Sequence, residues 1–269
     1  MRFRLILQRE HGHLLPTNYQ YLLMSWIYKV IAHADSDYAG FLHERGYGAT
    51  TGRQFKLFCF SRLMFPRGTW QINGPVMRVD AREIPLEVSF VAEKGAESFI
   101  MGLFQDQRFG LVDREHRMDF SVKRLETCPV TVSGNTLTLQ TNGPLLVSRP
   151  PREGERKNAQ YLSPTDAEYE HYFTRNLVNK YLAALKEGLV NQPLQPSPVQ
   201  FRQTGSPPRP KGITMKEGTD KVHKLKGYEF RFELTAPIPL LEFGLACGFG
   251  EKNSAGMGYC KVVEDNKAK

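Results

Sequence analysis

Two kinds of residue in this sequence can do chemistry: a glycine-rich stretch carrying a lysine, and a set of histidines. Residues 248–258 place Gly248 and Gly250, then Gly256 and Gly258, around five polar or small residues that include Lys252 and Asn253. Glycines admit left-handed backbone and let N–H groups approach an anion closely, while a lysine adds charge. The stretch lacks the G-K-[ST] of a P-loop. It follows a helix-like run and leads into a strand, whereas P-loops and dinucleotide fingerprints follow a strand and open a helix. A turn built only for tight packing is the competing reading. Histidine titrates nearest neutrality, and there are seven. His11 and His13 share a loop with no third ligand nearby, and His33 is placed to complement a helix dipole. His116, His171 and His223 carry no pattern, and His43 taken alone reads as a surface or capping residue. With no G-x-S-x-G, H-E-x-x-H or Walker sequence, serine-hydrolase, zinc-protease and nucleotide-triphosphatase readings have nothing to stand on.

The elements that would position these groups follow from periodicity. Residues 3–7 read as a strand. Thr17 and Gln20 have capping-box spacing before a helix whose stripe is Leu22, Leu23, Trp26, Ile27, Val30 and Ile31. Tyr28 lies roughly 150° from the centre of that stripe, so the helix's own core does not account for it. A short helix over 35–46, strands over 55–61, 69–72 and 84–92, a helix over 93–106 and a strand over 118–125 complete a β-α-β-β-α-β order. The order then recurs. A hairpin around Ser133-Gly134-Asn135 and a strand at 143–148 come first, then a long helix capped at Ser163. Strands at 199–203, 211–215 and 228–235, a helix over 239–247 and a strand at 259–263 complete the second half. These imply an α+β fold of two tandem ferredoxin-like (RRM-like) domains, 1–126 and 127–269.

Composition narrows the partner. The 269 residues carry a net charge of +8, and seven Lys/Arg between Arg202 and Lys226 face only Glu217 and Asp220. Such a cluster, which includes Arg209 and Lys211, points to a polyanion, with Arg149, Arg152, Arg156 and Lys157 as further candidates. The four cysteines are scattered without metal-ligand spacing and read as reduced apolar residues. No apolar run approaches the roughly 20 residues of a bilayer span. A cytoplasmic protein, with no membrane partner, no metal and no cofactor, is the expectation.

The glycine-rich stretch is similar to the C-terminal loop of the repeat-associated RNA-binding proteins of CRISPR systems. Further passages extend the resemblance to their precursor-processing endoribonuclease, the Cas six family. They are Met1-Arg2-Phe3-Arg4, Trp26-Ile27-Tyr28, Phe41-Leu42-His43-Glu44, Lys56-Leu57-Phe58 with Ser61, and Gly248 through Ser254. This resemblance implies two ferredoxin-like domains and metal-independent cutting of precursor CRISPR RNA within its repeats. The 2′-OH attacks the adjacent phosphate to leave a 2′,3′-cyclic phosphate and a 5′-OH. It implies His43 as the catalytic histidine with Tyr28 and Lys56 beside it, and RNA contacts from Gly248, Gly250, Lys252, Asn253, Gly256, Gly258, Arg209 and Lys211. Residues 46–52 form a local insertion against the family pattern, which leaves Arg53 as another source of the cation. The partner is CRISPR repeat RNA, with other effector-complex subunits as further partners and monomer or homodimer left open. A non-catalytic RNA-binding subunit of an effector complex with the same fold is the alternative.

Overall fold

Alternating apolar residues at the N-terminus form strand β1, Arg2–His11, with Phe3, Leu5 and Leu7 sealed from solvent. The computed structural model describes residues 1–48, 54–155, 158–195, 197–215 and 222–263. After β1 come β2 (Leu14–Pro16), helices α1 (Gln20–Ala34) and α2 (Ser36–Glu44), then β3 (Phe58–Phe60), β4 (Trp70–Asn73), β5 (Val76–Val79) and β6 (Glu83–Phe90). Helix α3 (Glu93–Gln105), β7 (Arg108–Val112) and β8 (Arg117–Thr127) close the first half. Its sheet runs β3-β6-β1-β8-β7, all antiparallel. Without the edge strand β7, the order β3-β6-β1-β8 puts the first and third strands of the βαββαβ unit at the centre and the last beside the first, the ferredoxin-like arrangement. Strands β2, β5 and β4 form a separate small sheet.

The second half repeats the plan with β9 (Thr136–Thr141), β10 (Ser148–Arg149), β11 (Gln160–Tyr161), α4 (Tyr169–Lys186), β12 (Gln200–Met215), β13 (His223–Thr235), α5 (Ile238–Cys247) and β14 (Cys260–Val262). Its sheet order, β12-β13-β9-β14, has the same ferredoxin-like connectivity. The fold is therefore two tandem ferredoxin-like units. Among the described residues, no helix is long and apolar enough to cross a membrane.

Several elements differ from the sequence expectation. Thr17 caps nothing: its hydroxyl and its N–H both go to the Pro75 carbonyl, and α1 starts at Gln20. Ser163 and Asp166 close a turn of their own, and α4 begins only at Tyr169. Residues 130–132 and 143–147 are not strands, although Leu145 bridges Tyr228. The two strands expected at 199–203 and 211–215 are one, because Pro207 and Pro208 fall within a register shift from Thr204 to Arg209, where ladder donors are not needed.

A second, smaller apolar cluster holds the glycine-rich stretch in place. Ile213, Met215 and Leu225 of the β12–β13 ribbon pack with Leu146, Ala255 and Met257, and against Tyr21 and Met24 of α1. The stretch is thereby clamped between the ribbon and α1.

Candidate active site and nucleic-acid interface

Helix α2 is capped by Asp35, whose carboxylate accepts from the Tyr38 N–H at 2.8 Å, and ends with His43 exposed in its last turn. Gly46 reverses the chain at φ 64, and a Cβ there would sit 2.6 Å from the Phe55 carbonyl oxygen. That close approach brings residues 54–57 down against the end of α2, where Lys56 Nζ donates to the His43 carbonyl at 3.0 Å. Tyr28 crosses from α1 to the same place. Its ring stands edge-on to His43 (centroids 6.0 Å apart, 85°) and to Phe58 (5.6 Å, 69°). Burial pushes its phenol up to about 12, against a smaller opposing effect from its hydrogen bond with the Ser254 side chain. The off-stripe tyrosine thus links α1, α2, β3 and the glycine-rich loop. Tyr28, His43 and Lys56 are brought together; Arg53 lies outside the described residues.

Lys56 titrates below the usual lysine range, first because it is partly buried and second because the Lys252 ammonium lies close. Two cations sharing one site favour an anion between them. Both line a cavity of about 530 Å³ together with Leu57, Ser254 and residues of α4. Leu57 (φ 53) and Lys252 (φ 57) are the two non-glycine residues with left-handed backbone among the described ones. Each such residue costs about 1–2 kcal/mol, and strain of this kind concentrates where side chains are aimed for function.

Inside the loop the glycines answer to packing. A Cβ on Gly250 would meet the Leu146 carbonyl oxygen at 2.2 Å, and one on Gly258 the Phe249 carbonyl oxygen at 1.8 Å; both have positive φ. Gly248, Gly250, Gly256 and Gly258 are buried. The Asn253 amide donates to the Phe249 and Met257 carbonyls and accepts from Lys180. Of the loop residues expected to meet RNA, Lys252 is the exposed one. Sequence reasoning missed Lys180, which is 2% exposed. Its ammonium donates to Gly248 O (2.5 Å), Gly250 O (3.1 Å) and Asn253 Oδ1 (3.0 Å). All three donors are thus placed, and they tie α4 to the loop. The signal was present: Phe173, Leu177, Lys180 and Ala184 form one helical stripe, and a lysine interrupts it.

The basic cluster divides. Arg209 and Lys211 are exposed on β12, but Lys211 borders a different groove of about 880 Å³ that also includes Trp70 and His116. Lys224 and Lys226 are exposed on the opposite face of the ribbon, while Lys216 and Lys221 lie outside the described residues. Arg202 pairs with Glu233, Arg149 with Glu155 (2.7 Å) and Arg152 with Glu168 (2.8 Å), so these cations are already partnered. Arg156 and Lys157 lie outside the described residues. His13 and His116 are paired with Asp80 (3.0 Å) and Asp113 (3.3 Å). Among the described residues, no three His, Cys, Asp or Glu side chains converge.

Residues 14–125 match the family model for the N-terminal part of CRISPR-associated protein Cas6, and residues 126–262 the model for its C-terminal part. Over 269 residues, all of this chain and 95% of the relative, the sequence is 28% identical to CRISPR-associated endoribonuclease Cas6 1 of Methanocaldococcus jannaschii. It is 25% identical to CRISPR-associated endoribonuclease Cas6 of Pyrococcus furiosus, covering 99% of this chain and 91% of that one. The fold is similar to that of the product of a Cas6-related gene from Pyrococcus furiosus, with a TM-score of 0.80 at 18% identity over 98% of this chain and 99% of that one.

Proposed function

The chain belongs to the Cas6 family, and from that premise we propose that it is an endoribonuclease that cuts precursor CRISPR RNA within its repeats without a metal ion. The observation that carries the reading is the meeting of Tyr28, His43 and Lys56 with Ser254 and Lys252 of the glycine-rich loop. The 2′-OH gives up its proton as its oxygen bonds to phosphorus; the P–O5′ bond breaks and the departing oxygen takes up a proton. The products are a 2′,3′-cyclic phosphate and a 5′-OH. His43 is the group suited to move these protons near neutral pH. Tyr28, held protonated by burial, serves as a hydrogen-bond donor and not as a base. Lys56 and Lys252 offset the charge that grows on the phosphate oxygens. The loop backbone around Gly248, Gly250, Asn253, Gly256 and Gly258 shapes the RNA contact, and Arg209 and Lys211 extend it over β12. The first unit takes residues 1–126 and the second 127–269, with the active site carried by the first and completed by the second.

Cleavage of a repeat RNA in excess EDTA tests the proposal, run beside an RNA with 2′-deoxyribose at the nucleotide before the cut and beside His43→Ala. Cutting in EDTA that the deoxy substitution abolishes, and that His43→Ala slows by about 10²–10⁴-fold, is the expected result. Loss of cutting in EDTA, or an unaffected His43→Ala, overturns the mechanism. Tight binding without any cutting by the wild type points instead to a non-catalytic RNA-binding subunit of an effector complex.

A further inference from the structure

The cavity beside the candidate active site is bordered by one buried polar group that no described residue satisfies. Asn176 of α4 lines it and is 8% exposed; its Oδ1 is turned away from solvent and has no hydrogen-bond partner among the described residues. A buried amide oxygen normally finds a donor, and an exception calls for an explanation. One turn further along α4, Lys180 lines the same cavity, but its three donors are already spent on the loop. Arg149, another lining residue, is committed to Glu155. The remaining walls are mixed, with Gln54, Lys56, Ser148, Glu251 and Lys252 as polar or charged residues. Phe55 and Leu57 supply apolar surface, and Arg175 lies with its guanidinium over the Tyr172 ring, 4.6 Å from the centroid. Apolar surface, a flat cation and an amide are the groups by which proteins hold an unstacked base.

We propose that this cavity is a base pocket: it takes one unpaired nucleobase of the RNA, from a nucleotide flanking the cut, and Asn176 reads it through a pair of hydrogen bonds. The proposal rests on the ribonuclease reading and adds a specificity-determining residue to it. A phosphate would meet only the amide N–H of Asn176 and leave Oδ1 unsatisfied, because phosphate oxygens are acceptors too. A base edge offers an N–H donor next to a ring or carbonyl acceptor, as adenine does with N6 and N7, and matches both halves of the amide. The terminal torsion of an asparagine is soft and broad, so turning Oδ1 toward the cavity needs no refolding. A volume of about 530 Å³ lies within the range of small-molecule sites and holds one nucleotide. Lys56 and Ser254 line the cavity as well and touch His43 and Tyr28. The occupant is therefore a neighbour of the reacting phosphate.

The test is a cycle of substrate against enzyme. A repeat RNA is made with each nucleotide flanking the cut replaced, one at a time, by an abasic ribose. Single-turnover cleavage is measured with wild type, Asn176→Ala and Asn176→Asp. At one position the abasic change should slow the wild type by about 5- to 150-fold, the range for one bidentate base contact. Asn176→Ala should cut the intact RNA about as slowly and lose nothing more from the abasic change. Asn176→Asp keeps the size and an acceptor but removes the donor, so it should fall between the two and carry the test if the alanine variant does not fold. Effects that multiply at every position, or the absence of any sensitive position, overturn the proposal and leave Asn176 a packing residue. Failure of the ribonuclease reading shows separately, as no cleavage by wild type. The same cycle is then run on binding of these RNAs by fluorescence anisotropy, where non-additivity supports the pocket and additivity rejects it.

Discussion

At the residue scale the site is a division of labour set by environment. Tyr28 is partly buried and neutral, His43 exposed, and Lys56 partly buried beside a second cation. With its phenol at about 12, Tyr28 does not titrate through the neutral range, so its contribution is a hydrogen bond and a ring contact. Tyr28→Phe keeps the edge-on contacts with His43 and Phe58 and removes the hydroxyl alone. It should lower the cleavage rate by about tenfold without changing the shape of the rate–pH profile below pH 9 or the melting temperature. A new pH dependence in the variant would count against this role. Lys56 behaves in the opposite sense. Because its free-state pKa is depressed, it loses its charge at lower pH than an ordinary lysine, and a phosphate placed beside it restores the proton. Affinity for a cleavage-blocked 2′-deoxy RNA should therefore fall as pH rises on the alkaline side. Lys56→Arg, which stays charged throughout, should flatten that fall; an unchanged slope in the variant would remove Lys56 from the phosphate.

At the element scale the candidate site depends on an anchor that is itself not exposed. Lys180 holds three acceptors of the glycine-rich loop from α4. Lys180→Met preserves length and apolar bulk but leaves those acceptors without a donor, at a cost of about 2–5 kcal/mol. The melting temperature should drop by roughly 5–15 °C, and RNA affinity should fall with it. Lys252→Met, at an exposed position, should lower affinity and leave the melting temperature where it was. Calorimetry and an RNA titration on both variants check the contrast, and equal melting temperatures for the two would refute the anchoring role. The elements themselves were largely legible. The stripe of α1 and the strand–helix order of both halves follow from apolar periodicity, and Tyr28 stood out because it lies off the stripe. What was not legible had local physical causes. Thr17 and Ser163 look like caps, yet the Thr17 hydroxyl goes to the Pro75 carbonyl and the Ser163 hydroxyl to Thr165. Strand β7 was missed because only Phe109 and Leu111 on it face the core. The buried Asn176 and Lys180 were passed over because periodicity was traced through apolar residues only.

At the scale of the whole molecule the candidate site draws on both halves, since His43, Tyr28 and Lys56 come from the first and Ser254 and Lys252 from the second. Their relative placement is fixed at a polar joint that composition alone does not disclose. Glu87 of β6 is 3% exposed. Its carboxylate accepts from Arg4 at 2.8 Å and from the Tyr259 hydroxyl, with Lys261 Nζ 3.8 Å away. Arg2 of β1 adds a hydrogen bond to the Leu245 carbonyl at 2.6 Å and lies over the Tyr259 ring. Burial pushes the Glu87 carboxyl up, but Tyr259, Arg4 and Lys261 outweigh it and hold it below the usual carboxylate range. A group with a depressed folded-state pKa contributes stability above its unfolded value, near 4.3 for Glu, and loses that contribution as pH falls through its folded value. The joint should accordingly loosen in acid. Melting temperatures measured from pH 6 down to pH 2.5 should fall more steeply for wild type than for Glu87→Gln, which keeps the shape and one acceptor but has no proton to gain. At pH 7 the order reverses: the variant melts lower, because Arg4 and Lys261 are left facing a neutral amide. RNA cleavage by Glu87→Gln should weaken along with the melt, since Tyr259 directly follows the loop that carries Lys252 and Ser254. A variant with unchanged acid sensitivity would mean that the halves are held by their shared apolar core alone.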